Sequence, residues 1–397
     1  MLHFEHSELL SVYHRMKEHL RSGLPTLAPG ILGVPVHTYT DPVRWSSEMD
    51  RIFRRKPLPL GLSAELREPG AFRALTVAGV RILIVRTGAG QVRAYVNACR
   101  HRGTPLVADG LGRAKRFTCG YHAWTYAADD GRLLAIPDAD SFGPADKGCL
   151  GLTSLAAEEH FGLIWVVLTP GVPIDLDSWL GSMGALVSKI GLDQYEVFAA
   201  TSLDGPNWKI VMEGYLETYH FAALHSNSFM PLIFGNMTLI DTFDSHLRLC
   251  TPMRTMADHV PPTEVEWDTL NFVQHSFYIF PTLQISFTVV PPGPNPVHMA
   301  LVSQVFPGVS HDRSITIQRI ITSRDVRNTP EEARVRAFTD LAFKTVQDED
   351  YAITPTIQTT LSSNGNREFL FGRNEIGAQH LHNGLARYLA EHAAAEA

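Results

Sequence analysis

Cys99-Arg100-His101-Arg102-Gly103 and, further on, Cys119-Gly120-Tyr121-His122 are the residues on which the reading of this chain turns. Each pair falls in a turn between candidate strands. A Cys-x-His and a Cys-x-x-His presented by two adjacent β loops wrap one metal centre from two sides, because the short spacing lets both side chains of a loop converge. Any one of the four, taken alone, reads as a buried thiol or a satisfied histidine. Together, in this order, they read as a metal site. Two chemistries fit: structural zinc with two Cys and two His, or a two-iron, two-sulfur cluster in which two His replace two Cys on one iron.

The surroundings of the motif are β-structured. From Arg73 to Asn97 β-branched residues alternate with small or polar ones and break at Thr87-Gly88-Ala89-Gly90, which predicts a hairpin. A second hairpin is predicted from Phe117 to Ala127, through a turn at Asp129-Asp130-Gly131, into Arg132 to Ile136, and another strand over Phe161 to Leu168. Residues of about 45 to 170 therefore form a small all-β domain. Beyond Pro173 the texture changes. Helical stretches are expected near Asp177 to Ile190 and from Trp208 to about Leu224, followed by strands over Ser276 to Val290, Met299 to Phe306 and Ser314 to Ser323, with the loop PPGPNP after Val290. Their succession implies an antiparallel sheet. Thr329-Pro330-Glu331-Glu332 reads as a helix start, with Thr as N-cap and Pro at the first helical position, and Val335, Phe338, Leu341, Ala342 and Val346 keep the helical period after it.

Bulk properties set the frame. At 397 residues the chain exceeds what one core usually supports, so two domains are expected. Lys plus Arg total 34 against 41 Asp plus Glu, which removes any general electrostatic pull toward nucleic acid or anionic lipid. The start lacks a basic region followed by an apolar one, and no run approaches a membrane span, so a cytoplasmic protein is expected. Four cysteines in a chain this long do not make a disulfide framework.

A second constellation lies in Asn207-Trp208-Lys209-Ile210-Val211-Met212-Glu213-Gly214-Tyr215-Leu216-Glu217-Thr218-Tyr219-His220-Phe221-Ala222-Ala223-Leu224-His225. On a helix Glu217 and His220 share a face. His220 and His225 diverge by about 140° on an ideal helix. For both to bind one metal, the helix must widen into a π-type bulge or end there. Two histidines in an aromatic helix are, by themselves, more often core residues.

The Cys99/His101/Cys119/His122 pattern resembles the Rieske signature, and the Asn-Trp-Lys…Glu…Glu-x-Tyr-His-x4-His stretch resembles the catalytic-domain signature of Rieske-type non-haem iron oxygenases, at the expected distance after the first motif. The resemblance implies that Cys99 and Cys119 hold one iron of a [2Fe-2S] cluster and His101 and His122 the other. It carries His220 and His225 over as ligands of a mononuclear Fe(II), with a late carboxylate completing a facial triad. Within Gln347-Asp348-Glu349-Asp350 that carboxylate is Asp350, eight residues before Gln358, with Asp348 as the fallback and Glu349 the remaining alternative. Pro355 supports the choice, since it cannot donate to the carbonyl of Tyr351 and kinks the helix beside Asp350. Glu217 takes the place of the family's acidic bridge between a cluster histidine of the neighbouring subunit and His220. Glu213 is expected to hydrogen-bond a ligand histidine.

The implied fold is α+β: an N-terminal helical segment (1–44), an all-β Rieske domain (45–170), and a catalytic domain (171–397) with an antiparallel sheet around a long helix, of the helix-grip kind. The implied function is the terminal oxygenase component of a multicomponent system, using O2 and NAD(P)H-derived electrons from a separate reductase or ferredoxin, in a homotrimer. No Gly-x-Gly-x-x-Gly follows a strand, so the nicotinamide is expected to bind elsewhere. Arg100, Arg102, Arg113, Lys115 and Arg116 either are ordinary surface or form a positive rim for an acidic electron donor. Phe221, Phe229, Phe234, Phe280 and Phe287 are expected near the pocket, which favours aromatic ring hydroxylation, as in aromatic hydrocarbon catabolism. The alternatives are oxidative N- or O-demethylation, quaternary-amine monooxygenation or, in a different class, a Rieske electron-transfer protein or a zinc-stapled binding protein.

Overall fold

In a computed structural model, residues 4–144, 146–259, 269–290, 296–363 and 365–395 are described. They divide into two compact units, residues 49–179 and residues 1–48 together with 180–397. The division thus falls at 48/49 and 179/180 rather than at the expected 44/45 and 170/171, and the N-terminal segment is no separate body. The reason is burial. On the helix His6–Ser22, Val12, Tyr13 and Met16 are covered and pack with Leu239, Cys250, Met256 and Val273 of the larger unit. The strand Leu32–Pro35 pairs antiparallel with Glu368–Phe371 near the other end of the chain.

The smaller unit is built of short antiparallel strands. A five-stranded sheet runs Ser154–Leu155, Val92–Val96, Val80–Arg86, Ala71–Val77, Gly110–Arg113, and two three-stranded sheets accompany it. The hairpin expected over 73–97 contains three strands, not two, because the chain also reverses at Ala78-Gly79. Both turn residues have positive φ, 50° and 77°, as in the mirror-image turns whose twist matches the flanking strands. The second expected hairpin is present as Arg116–Thr118, Thr125–Ala127 and Leu133–Ala135. Leu83, Val85, Tyr95, Phe117, Trp124 and Tyr126 belong to the core between them.

The larger unit carries a seven-stranded antiparallel sheet in the order Glu196–Gly205, Ser314–Thr322, Val297–Pro307, Leu283–Val290, Val273–Ile279, His246–Pro252, Leu239–Phe243. The single strand expected over 276–290 is a hairpin of two, joined at Phe280-Pro281-Thr282. Of the expected PPGPNP loop, residues 291–295 lie outside the described residues. Three of the seven strands, Glu196–Gly205, Leu239–Phe243 and His246–Pro252, have no counterpart in the sequence reading.

The helices beyond residue 173 differ from expectation at their ends. The stretch expected over 177–190 is two short helices, Leu176–Leu180 and Ser182–Ser188, parted at Gly181. The later helix starts at Glu332, not at Pro330: the Thr329 hydroxyl turns back to the Val326 carbonyl at 2.7 Å, and the Glu332 carboxylate accepts the Asn328 N–H instead. From Glu332–Thr345 the chain continues through a π-helical turn, Val346–Asp350, into the helix Tyr351–Thr360. The 20-residue helix Ile376–Ala395 is the longest among the described residues. Among the described residues no helix is long and apolar enough to cross a membrane.

Candidate metal centres and the cavity beside them

In the smaller unit the two loops of the first motif meet. His101 Nδ1 and His122 Nδ1 lie 3.2 Å apart, close enough for both to bind one metal at the ~2.0–2.1 Å typical of a metal–imidazole bond. The thiols of Cys99 and Cys119 are almost wholly buried and within hydrogen-bonding reach of each other. The donor set therefore separates into a nitrogen pair near solvent and a sulfur pair beneath it. Trp124 stacks flat on His101, with ring centroids 5.0 Å apart and an 8° interplanar angle, and the Tyr126 hydroxyl lies 3.2 Å from Cys99 Sγ. Burial works against ionisation of Cys119, yet its pKa is lowered. The backbone N–H groups of Tyr121 and His122 and the neighbouring thiol of Cys99 all favour the thiolate. The His122 imidazole is held below its usual pKa by desolvation and by His101 and Arg102. A neutral imidazole and a thiolate are the protonation states that bind metal. Arg100, Arg102, Arg113, Lys115 and Arg116 are all exposed.

In the larger unit the second motif opens on an anchored helix. The Asn207 side chain caps Trp208–Tyr215 by accepting the Lys209 N–H, and donates to the carbonyls of Tyr39 and His311. Lys209 is buried, its ammonium 2.7 Å from Glu48 Oε2, which also accepts from the Trp208 indole at 3.3 Å. A buried cation without such a partner costs several kcal/mol. The Asn207 backbone N–H also donates to Gln358 Oε1, 2.9 Å away, tying this helix to Tyr351–Thr360.

The first helix ends at Tyr215, and a second, Phe221–Leu224, follows. The break has two causes. The Thr218 carbonyl and hydroxyl both bond the Asn236 N–H, and the hydroxyl also meets that of Thr238, so this turn is spent on the loop that precedes the strand Leu239–Phe243. Gly377 packs against it so closely that a Cβ there would stand 2.1 Å from the Leu216 carbonyl oxygen.

Ending the helix lets the two imidazoles converge. His220 Nε2 and His225 Nε2 lie 3.2 Å apart, and Asp350 Oδ1 lies 3.6 and 3.3 Å from them. The point equidistant from the three atoms is about 2 Å from each, a first-row metal's bond length to N or O. These three make up the described group of metal-binding geometry, and two histidines with one carboxylate suit Fe(II) with positions left open.

The far nitrogens are fixed as well. His220 Nδ1 meets Glu217 Oε1 in a short contact, and the other Glu217 oxygen accepts the backbone N–H groups of Tyr219 and His220. His225 Nδ1 meets Glu349 Oε2 at 2.6 Å, and Ser228 Oγ donates to the same oxygen at 2.9 Å. A proton on each Nδ1 leaves each Nε2 lone pair facing the shared centre. Burial pulls the His225 pKa down, but hydrogen bonds to Asp350 and Glu349, with their charges, outweigh it and raise the pKa.

The structure thus brings together Glu217, His220, His225 and Asp350, and leaves Asp348 exposed and outside the cluster. The π-turn is present, but on the helix that carries Asp350 rather than between the histidines. Pro355 lies inside Tyr351–Thr360, one turn beyond. Glu213 does not bond either candidate ligand: its Oε1 accepts from the Tyr39 hydroxyl at 2.7 Å and meets His382 Nε2 at 2.8 Å. Burial first, then the charge of Glu213, raises the Tyr39 phenol far above its ordinary pKa. Glu349, an alternative iron ligand on the sequence alone, instead stands behind His225, a role no spacing rule announces.

A cavity of about 130 Å³ adjoins the three converging residues. Phe221 and Phe229 line it, as expected, but Phe234, Phe280 and Phe287 do not; Phe338, Tyr215 and Tyr351 do. Phe280 and Phe287 are fully buried away from it, and Phe234 lies under the Arg254 guanidinium, 4.2 Å from its ring centre.

Comparison with known proteins agrees with this geometry. A model described as the ring hydroxylating alpha subunit (catalytic domain) matches residues 192–391, half of the chain, and a Rieske [2Fe-2S] domain model matches residues 56–155. The chain is 31% identical over 201 residues to the glycine betaine monooxygenase oxygenase subunit of Chromohalobacter salexigens, covering 50% of this chain and 44% of that protein. Against the carnitine monooxygenase oxygenase subunit of Escherichia coli K12 it is 24% identical over 374 residues, covering 89% and 93%. Against the chlorobenzene dioxygenase alpha subunit of a Cupriavidus strain it is 31% identical over 193 residues, covering 46% and 42%. The aligned part thus spans less than half the length of the first and third of these relatives. Crystal structures of a quaternary ammonium Rieske monooxygenase share the fold, with a TM-score of 0.77 at 22% identity over 91% of this chain and 96% of that one. The two domain matches in this order, with donor sets that suit both metals, place the chain in the ring-hydroxylating alpha-subunit family of Rieske oxygenases, whose cofactors are a [2Fe-2S] cluster and a mononuclear iron.

Proposed function

We propose that this chain is the terminal oxygenase component of a multicomponent system. The observation that carries the reading is the convergence of His220, His225 and Asp350 at the wall of a cavity, each imidazole turned metal-ward by a carboxylate behind it. Iron held there supplies the binding and reductive activation of O2. Two electrons, two protons and one O2 either turn a C–H into C–OH with release of one water, or add both oxygen atoms across an arene bond.

The protein's own residues have distinct parts. Cys99, His101, Cys119 and His122 hold the cluster that receives electrons from a reductase or ferredoxin, and the exposed Arg113, Lys115 and Arg116 give an acidic donor a place to dock. Glu217 holds His220, its side chain 11% exposed, and is followed two residues on by Tyr219, which is 60% exposed. In a closed ring of identical subunits, three by the family resemblance, a cluster histidine of the neighbour meets Glu217 there. Phe221, Phe229 and Phe338 give the substrate apolar surface to pack against.

The substrate is a small organic molecule. Relatives named for an aromatic substrate favour ring hydroxylation; those named for glycine betaine and carnitine favour a quaternary amine, for which the aromatic walls supply cation–π surfaces.

The test is spectroscopic and analytical. The purified protein should be red-brown, with acid-labile sulfide and about three irons per chain, the sum of a two-iron cluster and one mononuclear site. Cys99→Ala or His122→Ala should abolish the visible absorption, since each leaves an iron undercoordinated. Two irons per chain would leave an electron carrier; zinc alone would end the reading.

A further inference from the structure

The cavity floor is unusual for the middle of a sheet. Gln284, Ser286 and Thr288 alternate along one strand, with Ser276 beside Ser286 on the next, and these polar residues point into the molecule. Their alternates Ile285 and Phe287, with Phe277, are packed on the opposite face and wholly buried. Ser276 and Ser286 satisfy each other at 2.9 Å. Gln284 is different: it is 3% exposed, lines the cavity, and its Oε1 has no hydrogen-bond partner. Thr354 Oγ1, on the helix across the cavity, is a second buried polar atom without a partner among the described lining residues. A buried acceptor left unmade costs about 1–3 kcal/mol, so a ligand that donates to it gains what a non-donor forfeits.

Charge narrows the ligand further. Among the described lining residues stands no Lys or Arg, and the carboxylates present, Glu217 and Asp350, are turned to the histidines. A betaine or carnitine would bury its own carboxylate here without a cation, which is strongly unfavourable. Its quaternary nitrogen has no N–H to give Gln284. Size completes the argument: the cavity is close to the ~150 Å³ that accepts benzene in an engineered core.

We propose that Gln284, with Thr354 opposite, is a specificity-determining acceptor that selects an uncharged, single-ring aromatic substrate bearing a hydrogen-bond donor such as a phenolic hydroxyl. The proposal rests on the oxygenase reading of this cavity. Gln284 receives the donor and fixes which ring carbon faces His220, His225 and Asp350. A site built around such a pairing discriminates more sharply than an apolar pocket does, because the analogue lacking the donor strands the acceptor.

The experiment is anaerobic titration calorimetry on the metal-replete protein with p-cresol, 4-methylanisole, choline and glycine betaine. Para-cresol should bind about ten- to a hundredfold more tightly than 4-methylanisole, the fold-change that an unpaired acceptor implies. Gln284→Met should shrink that ratio to about twofold or less, by weakening p-cresol rather than strengthening the ether. Thr354→Val, on a more exposed position, should reduce it partially and serves if the first variant misfolds; cluster absorption and circular dichroism report folding. Choline or glycine betaine binding as tightly as p-cresol overturns the proposal, and so does a p-cresol preference that survives both substitutions or no measurable binding of any of the four. Iron content and reductase-driven O2 uptake on the same preparations report the oxygenase reading separately, so the two failures are distinguishable.

Discussion

Glu349 stands directly behind His225, its Oε2 2.6 Å from Nδ1, while the next residue, Asp350, presents Oδ1 to Nε2 of the same ring at 3.3 Å. Consecutive residues thus address opposite ends of one imidazole, one fixing its tautomer and the other sharing its metal side. Replacing such an orienting carboxylate typically costs about 10–100-fold in metal affinity. Glu349→Ala should therefore release the mononuclear iron to a chelator that leaves the wild type loaded, with the cluster spectrum unchanged. Ser228→Ala, which removes only the support of Glu349, should have a smaller effect. Equal iron retention in Glu349→Ala and wild type would make the contact incidental.

Asp350→Ala should remove the mononuclear iron and all product formation while leaving the visible absorption intact, because the cluster's donors lie in the other unit. Asp348→Ala should retain iron and turnover, since that side chain is solvent-exposed. Colorimetric iron counts on the two variants settle the assignment; the reverse pattern would move the ligand to Asp348.

Glu217→Gln keeps the size of the side chain but removes its charge and one acceptor. His220 Nδ1 meets this carboxylate; in the proposed ring of subunits a neighbour's cluster histidine would meet it from the other side, giving electrons a short bonded route. The variant should assemble as the wild type does, hold both metals and accept electrons at the cluster at the normal rate, yet form almost no product in a single turnover. Full single-turnover yield, or a wild-type protein active as a strict monomer, would count against the bridge.

What could be read from the sequence tracks how local each feature is. The candidate ligands Cys99, His101, Cys119 and His122 come in pairs two and three residues apart, so their chemistry is written in short words. His220 and His225 needed a break in the helix, and the break comes from Asn236, Thr238 and Gly377, none of them near in sequence. Asp350 lies far along the chain and was placed by resemblance. Its neighbour Glu349 reads in the sequence as a rival ligand rather than as the support of His225, because a π-turn brings adjacent carboxylates to one ring, a geometry no helical period encodes. The Ala78-Gly79 reversal escaped because alanine seldom adopts positive φ. Leu283-Gln284-Ile285-Ser286-Phe287-Thr288 reads as an ordinary strand with a wet outer face, which is why Phe287 was expected in the pocket. The apolar face is the one packed away, and the polar one meets the cavity.

That reversed sheet face has a consequence for the thermodynamics of substrate entry. A hollow floored by hydroxyl and amide groups has the two to four polar partners that hold ordered water, whereas an apolar one of this size stays dry. Entry is then an exchange of solvent for substrate rather than the filling of a void. Burying polar surface raises the heat capacity while burying apolar surface lowers it. The heat-capacity change on binding should accordingly be small for the area covered, and the enthalpy should vary with how many waters each ligand displaces without replacing their hydrogen bonds.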